Sequence, residues 1–210
     1  MSAQKPASWA YAEDFAVEAE VVQAARHRGE ELGATPVGVA VGAALRMVAA
    51  ASAARAVVEI GTGAGVSGLW LLEGMPSDGI LTTIDVDAEH QRAAREAFSA
   101  AGVAHQRTRV IQGRALDVLD RMTDGAYDLV LVDGDTSEYP DYVVQATRLL
   151  RAGGVMVVDH MLGHDRVADP AARDEVTRSL RDLGKALRDD PRFATTLLPV
   201  GDGVLVAVKR

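Results

Sequence analysis

Acidic side chains at the ends of apolar runs, together with one glycine-rich turn, are the features of this sequence that could do chemistry. Val132-Asp133-Gly134-Asp135 and Val158-Asp159-His160 each place an acid directly after a run of β-branched and aliphatic residues. If those runs are neighbouring strands, their tips lie about 4.8 Å apart, and Asp133 and Asp159 converge on one point outside the sheet. Two carboxylates that close repel, and one pKa rises unless a divalent metal, a sulfonium or a shared proton relieves them. Helix capping or loop solvation accounts for Asp135 and Asp141 but not for a pair on adjacent strands. A second centre is Glu59-Ile60-Gly61-Thr62-Gly63-Ala64-Gly65-Val66-Ser67-Gly68. Glycines between a strand and a helix let backbone approach a ligand closely, and the helix N-terminus offers free N–H groups, a pattern suited to a nucleoside-containing cofactor. Gly63 to Gly68 also satisfy G-x-G-x-x-G; a plain tight turn is the alternative. Glu59 sits near the end of an apolar strand, where a buried carboxylate needs a donor or a cation. Asp85 follows the next strand, about twenty residues beyond the glycines, where an acid can accept both hydroxyls of a ribose. Capping of the following helix is its alternative role, for which Asp87 is better placed.

These residues need a scaffold that brings strand ends together, and the hydrophobic pattern supplies one. VVEI (57–60), ILTTI (80–84), RTRVIQ (107–112), YDLVLV (127–132) and VMVV (155–158) alternate with helical stretches near 66–74, 88–101, 115–122 and 139–150. Nearly continuous apolar strands separated by helices predict a parallel sheet covered on both faces, a doubly wound α/β fold. A polar helix is expected over roughly 170–188. After it, FATTLLPV and GVLVAVKR, joined by Gly201-Asp202-Gly203, predict a closing antiparallel hairpin, making seven strands. Two helices are expected before the first strand: Ala10 to Leu32, and a second opened by Thr35-Pro36 and running to about Ala53.

The chain has 210 residues, the size of one domain, with 48 % hydrophobic and 25 % charged residues, which excludes whole-chain disorder and fibrous repeats. Its formal net charge of -8 argues against nucleic acid or an anionic membrane as partner. The absence of cysteine removes thiolate metal sites and cysteine nucleophiles and fits a reducing compartment. MSAQKPASWA lacks a signal-peptide apolar run, and the apolar zone 37–60 is broken by Arg46, Arg55 and Glu59, so a cytoplasmic protein without membrane spans is expected.

From about Val37 onward the order of EIGTGAGVS, TTIDVD, GRA (113–115), YDLVLVDGD, LLRAGGVMVVDHML, GHDRVAD and LLPVGDGVLVAVKR resembles class I S-adenosylmethionine-dependent O-methyltransferases of the catechol and caffeoyl-CoA O-methyltransferase type, including their bacterial members. The resemblance implies a Rossmann-like core over 55–210, an N-terminal helical cover over 1–54, one methyltransferase domain over 1–210, and a homodimer. It implies that Val37 and the Gly61-Thr62-Gly63 turn wrap the methionine part of S-adenosyl-L-methionine, with Glu59 and Ser67 in contact. Asp85 and Val86 would hold the ribose and adenosine, Ala115 would border the adenine, and Asp133 and Asp135 would border the methyl-donor and acceptor space. Asp133, Asp159 and residue 160 would bind a divalent cation that chelates adjacent oxygens of a small hydroxylated, catechol-like or aromatic acceptor. Two positions depart from the family pattern. His160 stands where Asn is usual, and Thr136 where a general-base lysine is expected. Imidazole favours transition metals over magnesium, so the cation is magnesium or a transition metal. Without the lysine, deprotonation falls to the cation or to His160 or His164; Asp133 and His160 are the expected catalytic residues. The rival readings are a cofactor-binding protein that has lost catalysis and a NAD-dependent dehydrogenase on the same glycines.

Overall fold

The apolar runs form the strands of one sheet: β1 Ala56–Ile60, β2 Ile80–Asp85, β3 Thr108–Gln112, β4 Tyr127–Val132, β5 Leu150–Val158, β6 Phe193–Leu198 and β7 Val204–Lys209. The computed structural model describes residues 7–210, so the first six residues of the expected helical cover lie outside it. Strand order is β3-β2-β1-β4-β5-β7-β6. Strands β1 to β5 are parallel, and the expected hairpin closes the sheet with β7 antiparallel to both neighbours. Only β7 therefore runs against the other six.

Eight helices among the described residues flank the sheet: α1 Ala7–Glu13, α2 Glu20–Glu31, α3 Val39–Ala51, α4 Val66–Gly74, α5 Ala88–Ala100, α6 Ala115–Leu119, α7 Tyr139–Leu149 and α8 Glu175–Asp189. Alternation along the strands divides the core into two layers. Val57, Leu129, Leu131, Val155 and Val157 face α2 to α5, whereas Val58, Ile60, Val130, Val132, Met156 and Val158 face α6 to α8. The helices that cover the first face include two of the N-terminal ones. Trp70 of α4 is accommodated because Gly42 of α3 has no side chain; a Cβ there would stand 2.3 Å from the indole nitrogen.

Four boundaries differ from the sequence expectation. The first helix is two, α1 and α2, because tertiary contacts hold residues 14–19 out of helix: buried Glu18 is clasped by Arg26, and Glu13 accepts a hydrogen bond from Gly201 N–H at 2.9 Å. Thr35-Pro36 does not open a helix; α3 starts at Val39 after an extended Gly38, and the preceding residues line a cleft. Strand β5 begins at Leu150 rather than Val155, its pairing with β4 interrupted by an irregularity. The polar helix begins at Glu175, not Pro170, where the Asp174 side chain accepts from Thr177 N–H at 2.9 Å and so caps it.

Candidate active site

The strand order reverses direction between β1 and β4, and in open α/β sheets that switch point opens a crevice beyond the carboxyl ends of the strands. Here the ladder continues one residue past each tip. Asp133 N–H donates to Ile60 C=O at 2.9 Å and Asp159 N–H to Val132 C=O at 3.0 Å. Gly61, at φ +96°, lies so close to β4 that an added Cβ would stand 2.1 Å from the Asp133 carbonyl oxygen. Only glycine fits both constraints. A cleft of about 730 Å³ opens over this junction, with Val37, Thr62, Ser67, Asp85, Ala115 and Asp133 among its lining residues.

Gly61, Gly63, Val86, Asp135 and His160 also line it, whereas Glu59 and Asp159 lie beneath, 0 % and 2 % exposed. Asp85 fixes the glycine turn. Its Oδ2 accepts the N–H groups of Thr62 and Gly63 at 3.1 and 2.9 Å, and its Oδ1 accepts Asp87 N–H at 2.9 Å. The capping role goes to Asp87, as expected, through Glu89 and His90 N–H. Thr62 is anchored from below by Thr83 and Gln91 through its hydroxyl. At residue 135 the carboxylate folds back onto Ser137, bonding its N–H and hydroxyl.

The opposite end of the cleft gathers the strand-tip acids. One oxygen each of Asp133 and Asp159 and one nitrogen of His160 lie within 4.8 Å of one another. Burial pushes the Asp133 carboxyl well above its ordinary pKa, and the charges of Asp159 and Glu59 push it further. Asp159 is raised too, by burial, with His160 acting in the opposite sense. Beneath them Glu59 rises to about 7, chiefly from burial. The Ser67 and Thr83 hydroxyls offset part of this, yet neither Glu59 oxygen meets full hydrogen-bond geometry. Three converging, desolvated carboxylates thus sit in one corner, and among the described residues no lysine or arginine forms an ion pair with any of them. Unbalanced negative charge of this kind suits a cationic ligand, and two carboxylates with an imidazole are a fitting donor set for a divalent cation.

The sequence reading passed over three contributors. Asp202, read only as part of a hairpin turn, places Oδ2 at 3.4 Å from His160 Nδ1. Tyr139 is fully buried with an unpartnered hydroxyl, its pKa raised first by burial and then by Asp133, Asp159 and Asp202. Tyr142 donates to Glu138 at 2.5 Å, and Glu138 also pairs with Arg114, forming a polar wall of the cleft. The i, i+3 spacing of the two tyrosines on α7 is a sequence-level signal for them; no local signal marks Asp202.

Comparison with known proteins decides the family. The sequence profile of a family described as O-methyltransferase matches residues 9–210. This chain belongs to the O-methyltransferase family. A Mycobacterium tuberculosis (strain H37Rv) protein named "Probable O-methyltransferase" is 49 % identical over 201 residues, covering 96 % of this chain and 90 % of its own. Among solved structures, the O-methyltransferase TomG of Streptomyces achromogenes, involved in tomaymycin synthesis and bound to SAM, superposes with a TM-score of 0.85 at 30 % identity, over 96 % of this chain and 95 % of its own. An O-methyltransferase from Bacillus cereus in complex with SAH gives 0.86 at 26 % identity, over 97 % of each chain. For this O-methyltransferase the resemblance read from the motifs and the α/β fold with its C-terminal hairpin both hold. No helix among the described residues is long and apolar enough to cross a membrane.

Proposed function

We propose that this O-methyltransferase moves a methyl group from S-adenosyl-L-methionine to a hydroxyl of a small catechol-like or hydroxylated aromatic acceptor, assisted by a divalent cation. The observation that carries the reading is the pairing, in one cleft, of a glycine turn pinned by Asp85 with an uncompensated carboxylate corner. SAM and SAH in the two structural relatives point the same way.

In the reaction the acceptor oxygen forms a bond to the methyl carbon as the carbon–sulfur bond breaks, the hydroxyl proton leaves, and a neutral thioether remains. The protein's task is placement and charge management. Gly61, Thr62, Gly63, Val37 and Ser67 would close around the methionine portion, with Glu59 supplying negative charge below it. Asp85 retains lone pairs for the ribose hydroxyls while holding the turn, Val86 and Ala115 flank the adenine space, and Asp135 borders the acceptor side. Asp133, Asp159 and His160 would hold the cation, which when bound lowers the acceptor hydroxyl's pKa and fixes its direction. With Thr136 in place of a lysine, and with the His160 nitrogen that faces the acids committed to the cation, the acceptor proton passes to the exposed His164 on the cleft wall; His160 could take that part only where it holds no cation. Cytoplasmic residence and a homodimer complete the proposal; exposed Trp9, Tyr11, Phe15 and Val17 offer an apolar surface for the latter.

Incubation with methyl-labelled S-adenosylmethionine and a panel of catechols and hydroxylated aromatics, with and without divalent metals, tests this directly. Label transfer stimulated by metal is expected. Tight NAD binding with no response to S-adenosylmethionine would instead favour the dehydrogenase, and cofactor binding without turnover on any acceptor would favour a protein that has lost catalysis.

A further inference from the structure

We infer that Asp202 is a positioning residue that holds the His160 imidazole with Nδ1–H toward itself and Nε2 toward Asp133 and Asp159, and so tunes the proposed cation site toward transition metals over magnesium. This rests on the cation site proposed above and deepens it. His160 stands between two carboxylates: Nε2 lies 3.4 Å from Asp133 Oδ1, and Nδ1 lies 3.4 Å from Asp202 Oδ2. The Asp202 oxygen is buried and has no hydrogen-bond partner at its present alignment, while its other oxygen is committed to His164 N–H at 2.7 Å. A small ring rotation satisfies the orphaned oxygen, and of the two imidazoles beside it the His160 ring is the closer and more buried; the His164 side chain is 84 % exposed and 3.6 Å away.

The backbone supports the same orientation. His160 adopts φ +56°, a left-handed conformation uncommon for histidine, and keeps it because its N–H donates to Asp159 Oδ1 at 2.8 Å and its carbonyl accepts Gly163 N–H at 3.1 Å. The strand pairing does the rest. Because β7 is reversed, its leading turn reaches the same edge of the sheet as the tips of β4 and β5, and Leu162 N–H and Met161 N–H are tied to the carbonyls of Asp202 and Gly203 at 2.8 and 2.9 Å. A carboxylate on the far nitrogen of a ligating imidazole fixes its tautomer, raises its basicity, and when removed typically costs 10–100-fold in metal affinity. Imidazole ligation favours first-row transition cations over magnesium. The buried, unpartnered Tyr139 hydroxyl lies near enough to feel the charges of Asp133, Asp159 and Asp202 and adds no competing positive charge.

The test is calorimetric titration of the intact protein with Co²⁺ and with Mg²⁺, for the parent, Asp202→Asn, His160→Asn, the double variant, and His164→Ala. Asn at 202 keeps an oxygen for His164 N–H but turns an N–H₂ toward His160 Nδ1, which reverses the favoured tautomer. Asp202→Asn should weaken Co²⁺ binding about 10–100-fold with little change for Mg²⁺, and should have no further effect once His160 is Asn. His160→Asn should shrink the Co²⁺ over Mg²⁺ preference at least about tenfold, and His164→Ala should leave it alone. Nitrogen-15 spectra of the His160 ring, recorded above the ordinary imidazole pKa of about 6.5, should show Nδ1–H in the parent and Nε2–H in Asp202→Asn. Equal losses for both cations, losses that persist in the His160→Asn background, or an Nε2–H parent would overturn the role of Asp202 while leaving a cation site standing. Failure of the parent to bind any divalent cation would overturn the site itself and this inference with it.

Discussion

Replacing Gly61 by alanine tests whether the crevice exists because the ends of β1 and β4 meet backbone to backbone. The new Cβ would stand 2.1 Å from the Asp133 carbonyl oxygen and 2.7 Å from its carbon, whereas real Cβ contacts stay beyond 3.0 Å. It would also have to sit at φ +96°. The left-handed backbone costs a non-glycine residue about 1–2 kcal/mol, and moving β4 aside adds about 1–3 kcal/mol of overpacking strain. The sum, about 2–5 kcal/mol, is a large share of the roughly 5–15 kcal/mol that holds a domain folded. Gly63→Ala isolates the backbone contribution, because Gly63 has φ +49° but its nearest neighbour is the Ala34 Cβ at 3.8 Å, so no overpacking is added. Urea unfolding followed by the fluorescence of buried Trp70 reads both variants. With a slope of about 2 kcal/mol per molar, the midpoint should fall by about 1–2.5 M for Gly61→Ala and by about 0.5–1 M for Gly63→Ala. Equal midpoints for the two variants would refute the close approach as the reason for glycine at 61.

Glu59 keeps its proton to about pH 7 when folded against an ordinary value of 4.5, so its ionisation costs stability progressively as pH rises through that window and costs nothing below it. Glu59→Gln should therefore be the more stable form above pH 7, by up to about 3 kcal/mol, the two stabilities meeting below about pH 4.5; parallel pH profiles would show that Glu59 is not held in this way. Asp159→Ala should lose metal-stimulated methyl transfer by about 100-fold or more with cofactor affinity largely intact, as measured by labelled transfer and by calorimetry. Unchanged activity would remove the cation from catalysis. Asp87→Ala deletes the side chain that accepts from Glu89 and His90 N–H at the start of α5 and should cost about 1 kcal/mol in the same urea assay, whereas no loss would mean that the cap is replaced by water.

How far the sequence revealed this arrangement depends on how local the information was. The parallel strands were legible because burial on both faces writes an unbroken apolar run, and the strand-tip acids because they interrupt those runs at the one end where ligands bind. The break between α1 and α2 was not, since residues 14–19 contain no glycine or proline and are held out of helix by Glu18–Arg26 and by Glu13 reaching Gly201 across the chain. Thr35-Pro36 carried a good helix-start signal that the tertiary structure overrode by laying the segment along the cleft. Asp202 was invisible as a site residue because Gly-Asp-Gly is fully explained as a turn; its relation to His160 exists only once β7 is paired.

The reversed strand also sets an order in time. β7 lies between β5 and β6, although both are synthesised before it. A nascent chain that has completed β6 already holds the glycine turn, Asp133, Asp159 and His160, yet the β5 edge is unpaired, β6 has nothing to join, and the turn bearing Asp202 has not arrived. Strand β7 and its leading turn, down to Lys209 whose ammonium donates to the carbonyls of Thr147 and Leu150, close the sheet and complete the carboxylate corner in one event. On the ribosome, then, the corner is completed only once β7 has emerged, and deleting that strand would remove one wall of the site rather than merely trim an edge.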